Sequence, residues 1–136
     1  MVRFLLGTNT CIDFIKGRKE VITWASKLPR SSISLSAIVL YELEMGPLKC
    51  PTKYQAQQRA ILDRFLDLFP LVSPFTRDHA KLAAAIRADL EKEGLMIGPS
   101  DVLIAAQALA ENLTLVTTNV SEFSRIPSLK IENWKE

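Results

Sequence analysis

Apolar residues in this chain fall into short unbroken runs, separated by longer segments in which they recur every three or four positions. Val2 to Leu6 is apolar apart from Arg3 and reads as a first strand. Thr8-Asn9 offers a cap for a helix running to Lys16, with Gly17 as its stop. A second helix is predicted from Arg18 to Leu28, ended by Pro29. Ser32-Ile33-Ser34-Leu35 reads as a short strand, and Ser36 is placed to cap a helix from Ala37 to Met45 that Gly46-Pro47 closes. Thr52 opens a longer amphipathic helix with Ile61, Leu62, Phe65, Leu66 and Phe69 at helical spacing, and Leu71-Val72 suggests another strand. Thr76 caps a helix through Leu90 that stops at Gly94. Gly98-Pro99-Ser100-Asp101 launches a helix, Val102 to Ala110, that is apolar on nearly every side and should be the central, buried one. Thr114 to Thr117 reads as a buried strand and Leu129-Lys130-Ile131 as a short last one.

Strands that alternate with helices along the whole length predict a three-layer α/β/α domain with a mainly parallel central sheet. At 136 residues the chain is expected to form a single domain, 1-136, and its 48% hydrophobic content can supply a core. The 17 basic and 15 acidic residues leave a formal charge of +2, too small for a broad field that would draw nucleic acid to the whole surface. Any such contact has to be local. Cys11 and Cys50 lack metal-ligand spacing and suit a reducing compartment. Met1-Val2-Arg3 leads into only three apolar residues, so no signal peptide is expected and the mature chain is expected to begin at Met1. No apolar stretch approaches the roughly 20 residues of a membrane helix, and a cytoplasmic location without membrane contact is expected.

In open parallel sheets, ligands bind beyond the carboxyl ends of the strands. Four places qualify: Gly7-Thr8-Asn9, the Ser36 helix carrying Glu42, the Ser100-Asp101 helix start, and Thr117-Thr118-Asn119. On a helical wheel Glu42 falls between Ile38 and Val39, where a carboxylate is costly without a cation or a proton. The alternative is that Glu44 is the enclosed acid and Glu42 the solvated one. Asp101 opens the most apolar helix, where the dipole favours a carboxylate, so capping alone could account for it. Thr117 and Asn119 are ordinary turn residues taken singly. Together, Glu42 and Asp101 could hold a hard divalent cation, which takes one or two carboxylates plus waters and phosphate oxygens. His79, at a polar helix start, reads as a solvated surface imidazole, and without a second histidine a zinc site is disfavoured. No GxxxxGK[ST], GxGxxG or GxSxG pattern is present, which argues against nucleotide kinases, dinucleotide enzymes and serine hydrolases.

Four motifs in order carry a family resemblance. They are Phe4-Leu5-Leu6-Gly7-Thr8-Asn9-Thr10; Ser36 with Tyr41-Glu42-Leu43-Glu44-Met45-Gly46; Ile86-Arg87-Ala88 with Ile97-Gly98-Pro99-Ser100-Asp101 and Ile104-Ala105-Ala106; and Leu115-Val116-Thr117-Thr118-Asn119 with Glu122-Phe123. With these, the chain resembles PIN-domain ribonucleases, most closely the VapC-type toxins of bacterial toxin-antitoxin pairs, over nearly its whole length. The resemblance implies an acidic cluster that binds Mg²⁺ or Mn²⁺ and cuts RNA. Glu42 and Asp101 then look like two acidic ligands, Thr117 and Asn119 like the third cluster, and Glu122 like a further source of negative charge and a candidate ligand. Thr8 and Asn9 look like the polar pair that orients the first-strand acid, and Arg87 resembles a toxin residue facing the acidic pocket.

One departure stands out. The family's first acid closes strand one in the pattern LLDTN, and here Leu6-Gly7-Thr8 carries glycine at that position. A missing ligand should weaken both metal binding and turnover. The resemblance thus implies an endoribonuclease toxin impaired at Gly7, acting on structured RNA such as a tRNA, forming a homodimer and silenced by a VapB-like antitoxin laid across the groove. The rival reading is a non-catalytic PIN-like binding module whose remaining acids are structural.

Overall fold

The computed structural model describes all 136 residues, Met1 to Glu136. Its centre is β1 (Phe4–Leu6), three residues buried on both faces of the sheet, which explains why the run is apolar without alternation. β1 pairs in parallel with β2 (Ile33–Ser36) on one side and β4 (Thr114–Val116) on the other, with Leu6 opposite both Leu35 and Val116. β3 (Val72–Ser73) and β5 (Ile131–Glu132) extend the two edges, giving a five-stranded parallel sheet in the order β3-β2-β1-β4-β5. The expected three-layer α/β/α architecture is what forms. The strand order reverses direction between β1 and β4, so the connections leave these two strands on opposite sides and a crevice opens at their carboxyl ends.

Helices α1 (Thr8–Ile15), α2 (Lys19–Ser26), α3 (Ala37–Lys49), α4 (Thr52–Leu68), α5 (Arg77–Glu93), α6 (Pro99–Ala110) and the short α7 (Val120–Phe123) surround the sheet. The expected central helix is α6, where Val102, Ile104, Ala105, Ala106, Gln107 and Ala108 are all buried. Ser36 caps α3 by accepting the Ile38 N–H at 2.9 Å, and α5 stops at Gly94, whose φ of 68° is readily adopted by glycine. No helix is long and apolar enough to cross a membrane.

Several elements depart from the sequence expectations. The N-cap of α1 is Gly7 rather than Thr8 or Asn9, because the Gly7 carbonyl already accepts the Cys11 N–H at 3.1 Å and both following residues lie inside the first turn. Helix α3 runs through Gly46-Pro47 to Lys49; Pro47 lacks an N–H to donate and crowds the carbonyl one turn back, but its ring is buried. The stop comes at Cys50, extended at ψ 160°, as expected of a residue that precedes proline. The outer strands sit one or two residues later than predicted, α2 is shorter, and both α7 and a 3-10 turn at Arg30–Ser32 were not anticipated.

His79 is not a surface imidazole: it is 6% exposed. Its Nδ1 accepts the Thr76 N–H at 3.0 Å while the Thr76 hydroxyl accepts the His79 N–H at 3.3 Å, a reciprocal cap for α5. Its Nε2 lies 3.5 Å from a Glu111 carboxylate oxygen.

Trp134 reaches back over the sheet and is 1% exposed, meeting Phe4 edge-on at 5.6 Å while the half-exposed Trp24 stacks on it at 6.3 Å. This indole closes the core at the start of β1, so Trp134→Ala should cost about 3–5 kcal/mol, the usual range for emptying a buried aromatic site. Urea unfolding with an unchanged slope and a much lower midpoint is the expected result; a midpoint within error of the parent would show that the indole contributes little.

Candidate active site

The crevice beyond β1 and β4 is a cavity of about 240 Å³. Seven residues singled out from the sequence line it: Gly7, Thr8 and Asn9 from the start of α1, Glu42 from α3, Asp101 from α6, and Thr117 and Asn119 from the turn after β4. Ile104 and Phe123 supply its apolar wall. Most of these residues follow the carboxyl end of a strand or sit on the helix that follows it; Asp101 instead comes from the start of α6, which follows α5 and residues 95–98.

Glu42 is half-buried, and its Oε1 accepts the Thr8 hydroxyl at 2.6 Å. Glu44, two residues on, faces another way and pairs with Arg59 of α4 at 2.6 Å. The ambiguity between the two is thereby resolved: Glu42 serves the cavity, and Glu44 ties α3 to α4. Asp101 is in the first turn of α6, where the helix dipole should favour its charge. Nevertheless its carboxyl is held above the ordinary aspartate range, first by burial and then by the negative charges of Glu42 and Glu122. Beyond β4, the Thr117 hydroxyl accepts the Asn119 N–H at 3.0 Å, and the Asn119 amide donates to Glu122 at 3.0 Å. Glu122 is thus set back from the lining but close enough to act on Asp101.

Gly7 adopts φ −73° and ψ 163°, extended backbone open to any residue. A Cβ there would lie 3.0 Å from the Val116 carbonyl oxygen and 3.7 Å from the Thr117 Cβ, so a side chain requires that carbonyl to give by a few tenths of an ångström. Arg87 lies outside the cavity; it is exposed on α5 and pairs with Glu91 at 3.0 Å. Cys11 is buried and its thiol is pushed far up by desolvation, which leaves it without nucleophilic character. A larger cavity of about 390 Å³ adjoins the site through Glu42, lined mainly by apolar residues such as Ile12, Leu43 and Leu62 between α1, α3 and α4. Of its lining residues only Lys16 and Glu42 are charged, whereas the smaller cavity gathers two acids with polar residues.

The PIN domain pattern matches residues 4–129. The chain belongs to the PIN-domain family. This PIN domain is 39% identical over 135 residues to Ribonuclease VapC2 of Rickettsia felis, covering 96% of this chain and 97% of that protein. It is 35% identical over 134 residues to the tRNA(fMet)-specific endonuclease VapC of Salmonella typhimurium, covering 98% and 99%. Among solved structures, VapBC2 of R. felis bound to a DNA fragment from their promoter superposes with a TM-score of 0.89 at 39% identity, over 98% of this chain and 99% of that one. DNA-bound VapBC of S. typhimurium gives 0.89 at 36% identity, with the same coverage. The resemblance to VapC-type ribonucleases drawn from the four motifs is borne out.

The Asp101 carboxyl gives a pH-dependent test. A carboxyl whose proton is held more tightly in the folded state favours folding while protonated, and that stability is lost as pH rises through its folded-state value. Without metal, Asp101→Asn should therefore melt higher than the parent near neutral pH, and the gap should close as pH falls below the ordinary aspartate range near 4. Melting curves of both proteins across that range decide it; a parent that melts higher at neutral pH would mean that the helix dipole dominates instead.

Proposed function

We propose that this PIN domain is a metal-dependent endoribonuclease toxin of a toxin-antitoxin pair, acting on structured RNA, most specifically a tRNA, with a catalytic site weakened at Gly7. The observation that carries this reading is the convergence of Glu42 and Asp101 on one polar cavity at the switch point of the sheet, with Glu122 behind them. Acids brought together in this way are held at a cost unless a cation joins them. The donor set is all oxygen, which suits Mg²⁺ or Mn²⁺ and not zinc. Glu42 and Asp101 would hold the ion, with Glu122 and the Asn119 side chain in support. A divalent ion there would supply charge neutralisation for a phosphodiester and a more acidic water.

The chain's own groups prepare the site. Thr8 fixes the Glu42 carboxylate, Asn119 fixes Glu122, and Ile104 with Phe123 narrows the access of bulk water. The Salmonella relative's name supports a tRNA substrate, and the two VapBC structures support a VapB-like antitoxin as partner. The apolar cavity that meets the site at Glu42 offers room for an antitoxin segment laid across the groove. In this reading the domain spans 1-136, works in the cytoplasm and forms a homodimer.

Gly7 also favours a second reading, a binding module that keeps the fold and the partner without the chemistry. Gly7→Asp separates the two. Aspartate is a good N-cap and the backbone at position 7 accepts it, so the variant should fold. It should cleave tRNA in Mg²⁺ faster than the parent by orders of magnitude, on the order of several kcal/mol of transition-state stabilisation, and lose that activity in EDTA. Equal, negligible rates for both proteins at saturating Mg²⁺ would favour the binding module.

Growth gives an independent measurement. The chain as it stands should be tolerated by a bacterial host without its antitoxin, whereas Gly7→Asp should arrest growth. Equal toxicity would show that Gly7 does not disable the site.

A further inference from the structure

The acids at the cavity come from three stretches of chain: Glu42 from α3, and two further stretches that a hydrogen bond joins. Asp101 is delivered by the start of α6, which follows residues 95–98, a connection without helix or strand. Asn119 and Glu122 are delivered by the turn after β4 and by α7. Glu122 on the second stretch lies close enough to Asp101 on the first for like charge to act between them. One hydrogen bond joins the two stretches: Arg125 Nη1 donates to the Met96 carbonyl at 2.8 Å.

The placement of Arg125 suits it to this. Its own N–H is bonded to the Glu122 carbonyl at 3.1 Å, and it stands between the buried Phe123 and Ile126, so its backbone is fixed to the segment that carries Glu122. On the other side, Ile97 is buried next to Met96, and the Gly98 carbonyl begins α6 by accepting the Val102 N–H at 3.1 Å. Apart from Arg125, the hydrogen bonds of residues 94–98 go only to the helices flanking them. No carboxylate lies within ion-pair distance of the guanidinium. A lone exposed arginine whose head group reaches a main-chain carbonyl across a gap between two acid-bearing segments does more than solvate a surface.

We propose that Arg125 is a positioning residue of this site: through the Met96 carbonyl it holds the segment that presents Asp101 against the segment that presents Asn119 and Glu122. The inference rests on the reading of the cavity as a metal site. Arg125 touches neither metal nor substrate in this role. It sets the separation of the acids, so that a cation finds them assembled instead of having to draw them together.

Two readouts test it, neither of which requires cleavage. In the chain as it stands, without metal, Arg125→Ala should speed hydrogen exchange of the Val102 amide, the first bonded amide of α6, on the order of ten-fold, with mid-helix amides of α5 unchanged. In the Gly7→Asp protein, Arg125→Ala should weaken Mn²⁺ binding measured by calorimetry on the order of ten-fold or more, as losses of groups that support metal ligands do. Arg125→Lys, which keeps one donor able to reach the carbonyl, should recover part of both, and Arg77→Ala, an exposed arginine at the start of α5, should change neither. Should Arg125→Ala fail to fold, Arg125→Gln takes its place in the same comparison. Unchanged Val102 exchange overturns the proposal, and so does unchanged Mn²⁺ affinity. If Gly7→Asp itself binds no Mn²⁺, the metal reading falls and the positioning role with it, whatever the exchange shows; if it binds Mn²⁺ equally well with and without Arg125, the metal reading stands and only the positioning role is lost.

Discussion

The Val116 carbonyl is the point on which the site is built. Strand pairing between β1 and β4 does not end at Leu6; it continues one residue further, where the Gly7 N–H donates to Val116 O at 2.8 Å. The same oxygen accepts the buried Thr10 hydroxyl at 3.0 Å. Both lone pairs are thereby used, and the first turn of α1 is pinned over the end of β4. Thr8 is turned toward Glu42 and position 7 lies beside Thr117. A three-residue strand is too short to fix its exit by length, so these two bonds do the fixing.

That geometry makes the electrostatics unequal. Glu42 has the Thr8 hydroxyl and Glu122 has the Asn119 amide, each a neutral donor already in place. Asp101 has no side-chain hydrogen bond to either wall, and a Cβ at Gly98 would lie 3.1 Å from its Oδ2, so its carboxylate leans back over its own helix start. Its carboxyl is held above the ordinary aspartate range, first by burial and then by the charges of Glu42 and Glu122. Burial and the neighbouring acids together decide that Asp101 carries the strain of an unneutralised site.

The layers, the parallel sheet and the polar lining were legible in the sequence because each follows from local pattern: apolar runs for β1 and β4, caps at Ser36 and Thr76, and acids near helix starts. What was not legible depends on contacts distant in sequence. Gly7 became the cap of α1 because of β4, more than a hundred residues away. Pro47 was tolerated in α3 because packing buries it, and His79 was drawn inside by Thr76 on one edge and Glu111 on the other. Glu42 and Glu44 could not be told apart on a helical wheel; Arg59, from the next helix, separates them. Arg125 showed no signal at all, since its only distinguishing contact is with a main-chain oxygen 29 residues earlier.

Glycine at position 7 changes the chemistry of the site much more than its architecture. The backbone there is extended and open to any residue, so the fold does not demand glycine. Aspartate there requires the Val116 carbonyl, which also holds Gly7 and Thr10, to give by a few tenths of an ångström, a cost set against a better helix cap. A carboxylate added at this point would nevertheless join Glu42, Asp101 and Glu122 around one small cavity and deepen their repulsion in the absence of a cation. The same group that would strengthen a metal site therefore loads the empty one, and glycine relieves that load by giving up a ligand. On this view the chain keeps the crevice, the donors at Thr8 and Asn119 and the apolar wall, while it lacks the one charge that would make a bound cation most favourable.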